Sequence, residues 1–351
     1  MDCHTSVTSS PIPFSAPRRR GVKPRSLPSV LVLILLSACA RTPIPTEPPV
    51  ALTVSGSSAM APLLGRLVAR FQQEHPSVMV TIDQRDSALG LADVVSGRAA
   101  LGAVSATPPE SIWNAPIAVD GIAVIVHPGS PLTGLTMAQL QDVFSGRVWQ
   151  WHELGVTVAG DEIQVVSREE GSGTRLSFEA LAMRENLAVL RDLTVLSDLS
   201  GIADCPAPRL PDPAGAGSQV TPTPAPACAL SPVTTMAVVV MNSQAAVEFV
   251  SQNPGAIAYV SRSYLNSQAR VRQVASTVRI EGVPPDLERI HWSSRTDPSA
   301  PASTDSRYPL TQPFFLVAPQ EPVGAARLFV DFCLSSQGQA IVAAQAVPVR
   351  R

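Results

Sequence analysis

The sequence predicts an α/β protein of two lobes. Three observations carry this. At 351 residues the chain exceeds what one hydrophobic core usually organises. Its first half repeats strand, turn and helix with hydroxyl residues at the turns. Residues 163–178 then run a short apolar strand into a glycine-punctuated turn that opens a second helix-led segment. An apolar content of 45% with 15% charged residues fits a globular chain of this kind.

The elements follow in order. Residues 51–54 form a short strand ending in Ser55-Gly56-Ser57-Ser58. Residues 60–75 carry Leu63, Leu64, Leu67, Val68 and Phe71 at helical spacing. A strand at 78–82, a polar turn with Asp86, Ser87 and Gly90, a helix near 89–96 and a strand at 99–104 complete the repeat. In open α/β sheets ligands sit beyond the carboxyl ends of the strands. Ser57, Ser58 and Ser87 are therefore expected on one edge of one lobe, although each alone also reads as an N-cap serine.

Residues 117–127 form a long buried strand able to cross between lobes, and 135–144 an amphipathic helix closed by Gly146 where a C-cap belongs. Trp149 and Trp151 read as local packing residues. Residues 204–232 are proline-rich and poor in large apolar groups, an insert rather than a domain. Order resumes at Thr234, with a helix at 244–250 and a glycine-led strand at 255–260. Residues 279–306 are loop-rich; a strand at 308–318 and helices at 323–335 and from 337 close the chain.

The turn at 168–174 has the layout of an anion site. A helix N-terminus offers unpaired N–H groups and the positive end of the macrodipole, and Gly171 and Gly173 admit a ligand close to the main chain. Ser172 and Thr174 add hydroxyls, and Arg168 adds a guanidinium whose fork fits a tetrahedral oxyanion. In isolation such a turn reads as an ordinary helix cap. Three similar turns elsewhere make a cleft between lobes the better account.

The amino terminus differs. Arg18, Arg19, Arg20, Lys23 and Arg25 precede the apolar run 30–36 and then Ser37-Ala38-Cys39, the layout of a secretory signal too short to span a membrane. Leu36-Ser37-Ala38-Cys39 also looks like a bacterial lipobox, with Cys39 as the lipidated first residue, so the protein is expected at the outer face of the cell membrane. Residues 39–50 form a proline-rich tether. Without residues 1–38, which hold five basic residues and one acidic, 21 basic residues face 27 acidic ones, a net of −6. Such a chain is not expected to bind nucleic acid non-specifically. Cys205 and Cys228 flank the insert in an exported chain and are candidates for a disulfide, whereas Cys333 reads as a small buried hydrophobe. Scattered histidines and the lack of Cys-x-x-Cys or His-Glu-x-x-His give no argument for a metal or cofactor.

These residues resemble, in order, the phosphate-binding proteins of bacterial phosphate ABC transporters. The stretches are Val54-Ser55-Gly56-Ser57-Ser58, the Ser87 turn with Gly90, Leu101-Gly102-Ala103-Val104-Ser105, Val119-Asp120-Gly121-Ile122, Ser167-Arg168-Glu169-Glu170-Gly171-Ser172-Gly173-Thr174-Arg175, the strand at 255–260, Tyr308-Pro309-Leu310 and Ser336-Gln337-Gly338-Gln339. The resemblance implies a two-lobed class II periplasmic binding-protein fold with a hinged interlobe cleft, closing on one inorganic phosphate without chemical change and delivering it to a permease and ATPase. Lobe 1 is then expected to comprise 51–128 and 305–351, lobe 2 residues 129–304, and the protein to act as a monomer. Carried over by position, the phosphate ligands are Ser57, Ser58 and Ala59 from the first turn, Ser87 from the second, Ser105 after the third strand, and Arg168, Ser172, Gly173 and Thr174 from the second lobe.

One departure concerns specificity. Many family members have an aspartate where Ser105 stands, which accepts the proton of hydrogen phosphate and rejects sulfate. A serine does not repel an aprotic ligand in this way. Asp86, Glu169 or Glu170 could supply the acceptor. The alternatives are a receptor for sulfate or molybdate, or a signalling or adhesion protein using the same fold. No Gly-x-Ser-x-Gly elbow, P-loop or paired acidic motif points to an enzyme.

Overall fold

The computed structural model describes residues 49–183, 210, 233–267, 276–290 and 308–349. The segment read as a signal peptide, Cys39, nearly all of the expected tether, Cys205, Cys228 and the proline-rich segment 204–232 apart from Leu210 lie outside these residues. Among the described residues no helix is long and apolar enough to cross a membrane.

Three strand-to-helix units come first: β1 (Val50–Ser57) with α1 (Ala61–Glu74), β2 (Val78–Arg85) with α2 (Ser87–Val95), and β3 (Leu101–Val104). The expected apolar stripe of α1 is its buried face, Leu63, Leu64, Leu67, Val68 and Phe71. Both β1 and β2 run three residues further than their apolar patterns suggest, because they pair in parallel register along their whole length, from Val50 opposite Val78 to Ser57 opposite Arg85. The backbone ladder, rather than an apolar pattern, carries those last residues.

The long strand β4 (Trp113–Val126) connects the two halves of the molecule. Its first part pairs antiparallel with β11 (Thr311–Ala318), and Ile122 to Val126 pair instead with β8 (Ala256–Ser261). Beyond β8 lie β6 (Gln164–Arg168) and the edge strand β7 (Val238–Val240), both parallel to their neighbours. The sheet order is therefore β2-β1-β3-β11-β4-β8-β6-β7, with the short β9 (Ser276–Thr277) and β12 (Val347–Pro348) added onto β4. β5 (Gly134–Leu135) and β10 (Arg279–Ile280) pair separately.

Two cores result. One is built on Leu52, Val54, Leu101, Ile117 and Phe314 and covered by α1 and by α7 (Gly324–Leu334) and α8 (Ser336–Ala343). The other holds Ile122, Val124, Phe144, Trp151, Phe178 and Tyr259 beneath α3 (Met137–Ser145) and α4 (Gly173–Ala182). Residues 122–126 of β4, together with Tyr308 and Leu310, contribute to this second core or its flank. Tyr308, expected in a strand, lies before β11 and donates its hydroxyl to the Ile122 carbonyl at 2.7 Å.

Local signals act as the sequence suggests. A capping box of Thr136 and Gln139 starts α3, and Gly146 ends it in the left-handed region at φ 79°. Cys333 is a buried free thiol. Trp151 is fully buried and donates its indole N–H to the Gly255 carbonyl at 3.2 Å, whereas Trp149 is 56% exposed and does not pack. After α5 (Ser243–Gln252) and β8, a short helix α6 (Arg262–Ser267) appears that no periodicity signals.

Candidate functional site

Four helix N-termini meet at the seam between the two cores. The first follows β1. Gly56 there adopts φ +134°, and a Cβ on it would come within 2.2 Å of the Ala103 carbonyl oxygen, so only glycine lets β1 turn against β3. Ser57 and Ser58 follow, both nearly buried, and the Ser58 N–H donates to the Arg85 carbonyl at 2.9 Å. At the second, the cap of α2 is Asp86, whose Oδ1 accepts from the Leu89 N–H at 2.7 Å. Ser87 is thereby the first helical residue, and its hydroxyl turns inward with no exposure.

Ser105, after β3, ties these turns together. Its N–H donates to Ser87 Oγ at 3.1 Å, and Ser57 Oγ donates to Ser105 Oγ at 2.9 Å. Ser87 Oγ and Ser105 Oγ are 3.4 Å apart.

The third N-terminus, that of α4, faces this serine group from the other core. Gly171 turns the chain at φ +92°, and Ser172 caps the helix by accepting from the Arg175 N–H at 3.3 Å. Gly173 packs so closely that a Cβ would lie 2.5 Å from Ser87 Oγ and 2.6 Å from Ser105 Oγ. Two further bonds cross the seam: the Ala88 N–H donates to the Gly171 carbonyl at 3.1 Å, and Ser177 Oγ to the Ser105 carbonyl at 3.2 Å. The fourth N-terminus, α5, presents Ser243.

Arg168, at the end of β6, is only 2% exposed. Its Nε and Nη2 donate to the two carboxylate oxygens of Glu169 at 2.8 and 2.7 Å. Nη2 also reaches Ser58 Oγ at 3.3 Å across the seam, and Nη1 reaches Ser243 Oγ at 3.2 Å. Tyr259 fixes the backbone beneath it: the ring stacks on Phe178 at 4.0 Å, and the hydroxyl exchanges a bond with Ser167 Oγ and accepts from the Arg168 N–H. Burial pushes the Tyr259 phenol up to about 12, so it stays a neutral donor.

The seam therefore collects donors. Hydroxyls, the leading N–H groups of four helices with no acidic residue in their first turns, and one guanidinium are gathered there. Thr174 Oγ1, 1% exposed in its residue, has no hydrogen-bond partner. Such a buried orphan is uncommon. Of the carboxylates that could accept a proton, Glu169 has both oxygens committed to Arg168, Asp86 caps α2, and Glu170 is exposed. Asp86 and Glu170 line a cavity with Gly171 and Ser172.

The sequence-predicted residues Ser57, Ser58, Ser87, Ser105, Arg168 and Gly173 thus meet directly. Ser172 serves as the cap, and Ala59, also buried, turns its carbonyl toward Ser261. Sequence reasoning missed Ser243 and the clamp of Glu169 on Arg168. Ser243 was findable as a fourth hydroxyl at a strand-to-helix turn.

Residues 43–337 match the model of the PBP superfamily domain. The phosphate-binding protein PstS of Bacillus subtilis is 30% identical over 139 residues, covering 38% of this chain and 46% of that protein. PstS 2 of Streptococcus pneumoniae is 36% identical over 107 residues, covering 29% of this chain and 37% of its own length. The chain spans less than half the length of these relatives. Among solved structures, a phosphate ABC transporter substrate-binding protein from Clostridium perfringens with bound phosphate is 25% identical, with TM-score 0.62, over 86% of this chain and all of the other. An ABC-type phosphate transport receptor from Vibrio cholerae superposes with TM-score 0.55 at 21% identity, covering 85% of this chain.

Proposed function

This chain belongs to the PBP superfamily domain family, and from that premise we propose that it is an extracytoplasmic solute-binding protein that captures inorganic phosphate and hands it to an ABC permease. One observation carries the reading. Arg168 and Gly173 from one core meet Ser58, Ser87 and Ser105 from the other in a single buried donor cluster. The bound oxyanion would take hydrogen bonds from Ser57, Ser58, Ser87, Ser105, Arg168 and Thr174 and from the main chain at Ala59, Ser172 and Gly173. Hydrogen bonds with a charged partner contribute about 1.5–3 kcal/mol each, so several offset the cost of desolvating the anion.

The ligand is held without chemical change, between a lobe 1 of residues 51–128 and 305–351 and a lobe 2 of 129–304, by a monomer tethered through a lipidated Cys39. Calorimetric titration of protein stripped of anion is the test. Phosphate should bind tightly, and Arg168→Ala should weaken it by orders of magnitude; wild-type affinity in that variant would remove the site. Retention of a Cys39→Ser variant in the membrane fraction would refute the anchor.

A second reading, a broader oxyanion receptor, draws on Ser105. A hydroxyl both donates and accepts, so it does not demand a proton on the ligand. Sulfate is therefore expected to compete measurably, and a silent sulfate titration would return the assignment to phosphate alone.

A further inference from the structure

The two lobes are joined at a buried carboxylate that the binding reading does not use. Asp120 lies on β4 opposite Gln312, one residue before the last position paired with β11, Gly121, and two before Ile122, where pairing with β8 begins. It has no exposure. Its Oδ2 receives Ser261 Oγ at 2.5 Å and Gln312 Nε2 at 3.4 Å, and its Oδ1 receives Ser263 Oγ at 2.9 Å and the Ser263 N–H at 3.2 Å. The charged group packed against it is Arg262 on α6, whose guanidinium donates to the Pro285 and Gln345 carbonyls.

Each serine hydroxyl there stands between Asp120 and a main-chain carbonyl. Ser261 Oγ is 3.3 Å from the carbonyl of Ala59, in the turn that leads into α1, and Ser263 Oγ is 3.4 Å from the carbonyl of Gln345. A hydroxyl has one proton and satisfies one of its two acceptors at a time. Gln312 Oε1, beside them, is buried with no partner at all. The cluster holds more acceptors than protons to fill them.

We propose that Asp120 is a positioning residue for the oxyanion cleft, switching the Ser261 hydroxyl between itself and the Ala59 carbonyl according to whether it carries a proton. With Asp120 ionised, Ser261 donates to Oδ2. With Asp120 protonated, the carboxylic acid donates to Ser261 Oγ, and the Ser261 proton turns to the Ala59 carbonyl and pins the first binding turn to the end of β8. Burial raises the Asp120 carboxyl above the usual range, opposed by its hydrogen bonds to Ser261 and Ser263 and by the charge of Arg262, so the protonated form persists to higher pH than in an exposed aspartate. The inference rests on the reading of Ala59 as part of the phosphate site.

The test compares phosphate affinity of wild type, Asp120→Asn and Ser261→Ala from pH 5 to pH 8.5. Taking ratios between proteins at each pH cancels the ionisation of phosphate itself. Asn holds a donor toward Ser261 at every pH, so the wild-type Kd relative to Asp120→Asn should start near parity and rise about two- to tenfold with pH, the worth of one hydrogen bond. The Ser261→Ala Kd relative to wild type should move the opposite way, from that factor at low pH toward parity. Flat ratios overturn the inference, and should the asparagine variant fail to fold, the Ser261→Ala ratio decides alone. Wild-type protein silent to phosphate at every pH would instead overturn the phosphate reading, and this inference with it.

Discussion

Adding one methyl group at Gly173 tests the geometry of the seam most directly. Gly173 opens α4, and its space is taken by the opposite lobe: a Cβ would sit 2.5 Å from Ser87 Oγ, 2.6 Å from Ser105 Oγ and 2.9 Å from the Ser105 carbonyl carbon. Ordinary contact needs about 3.5–4 Å, so the lobes must separate by about 0.5–1 Å or the serines must give way. The hydroxyls can rotate only by abandoning Ser57 and the Ser105 N–H, and the main-chain carbon cannot rotate at all. Overpacking of this kind costs about 1–3 kcal/mol, or about 5- to 150-fold in Kd. The clash exists only where the lobes meet, so the cost falls on their closed arrangement and not on either core. Gly173 is not in the left-handed region, and alanine suits a helix better than glycine. Gly173→Ala should therefore lose phosphate affinity by that factor in calorimetry while its anion-free melting temperature holds or rises. A Kd within twofold of wild type would refute the close approach and, with it, the claim that the lobes meet on these serines.

Other outcomes follow from the same contacts. Glu169→Gln leaves the Arg168 charge buried and half-paired, so the anion-free protein should lose about 3–5 kcal/mol of stability, and saturating phosphate should recover more of the melting temperature than it adds to wild type; equal ligand shifts would count against Arg168 facing the anion. Arg168→Ala should lose stability as well as affinity, because it strands the Glu169 carboxylate, and Arg168→Ala/Glu169→Ala should melt higher than the single variant. Tyr259→Phe removes the partner of Ser167 and the Arg168 N–H and should cost about 1–3 kcal/mol in denaturant unfolding. For Asp120, whose carboxyl is raised in the folded protein, the folded state binds the extra proton once pH exceeds the free aspartate value near 3.9. Stability from this group is therefore present at low pH and lost as pH rises through the folded value, and unfolding of Asp120→Asn should fall less steeply with pH than wild type.

By itself the sequence determined the alternation of strands and helices, the apolar face of α1, the glycine stop of α3 and the set of hydroxyl and glycine turns. These depend on periodicity, capping and φ preferences within a few residues of each other, which is information a linear chain carries. It also pointed to Ser57, Ser58, Ser87 and the Arg168 turn as one site, because ligands in such sheets gather at the strand ends, and Ser105 joined them only through the family resemblance. Tertiary structure alone decided the rest. The reach of β1 and β2 past their apolar residues is set by the ladder between them, and α6 is anchored at its start by a carboxylate 143 residues away in sequence. The partner of Arg168 proved to be Glu169, adjacent in sequence but chosen by burial, since a guanidinium withdrawn from water needs a carboxylate with both oxygens free. That pairing takes up both Glu169 oxygens, whereas Asp86 spends one oxygen on the cap of α2 and Glu170 stays exposed. Which polar groups remain unpaired among the described residues, Thr174 at the seam and Gln312 beside Asp120, depends on every neighbour in three dimensions, and no stretch of sequence contains them all.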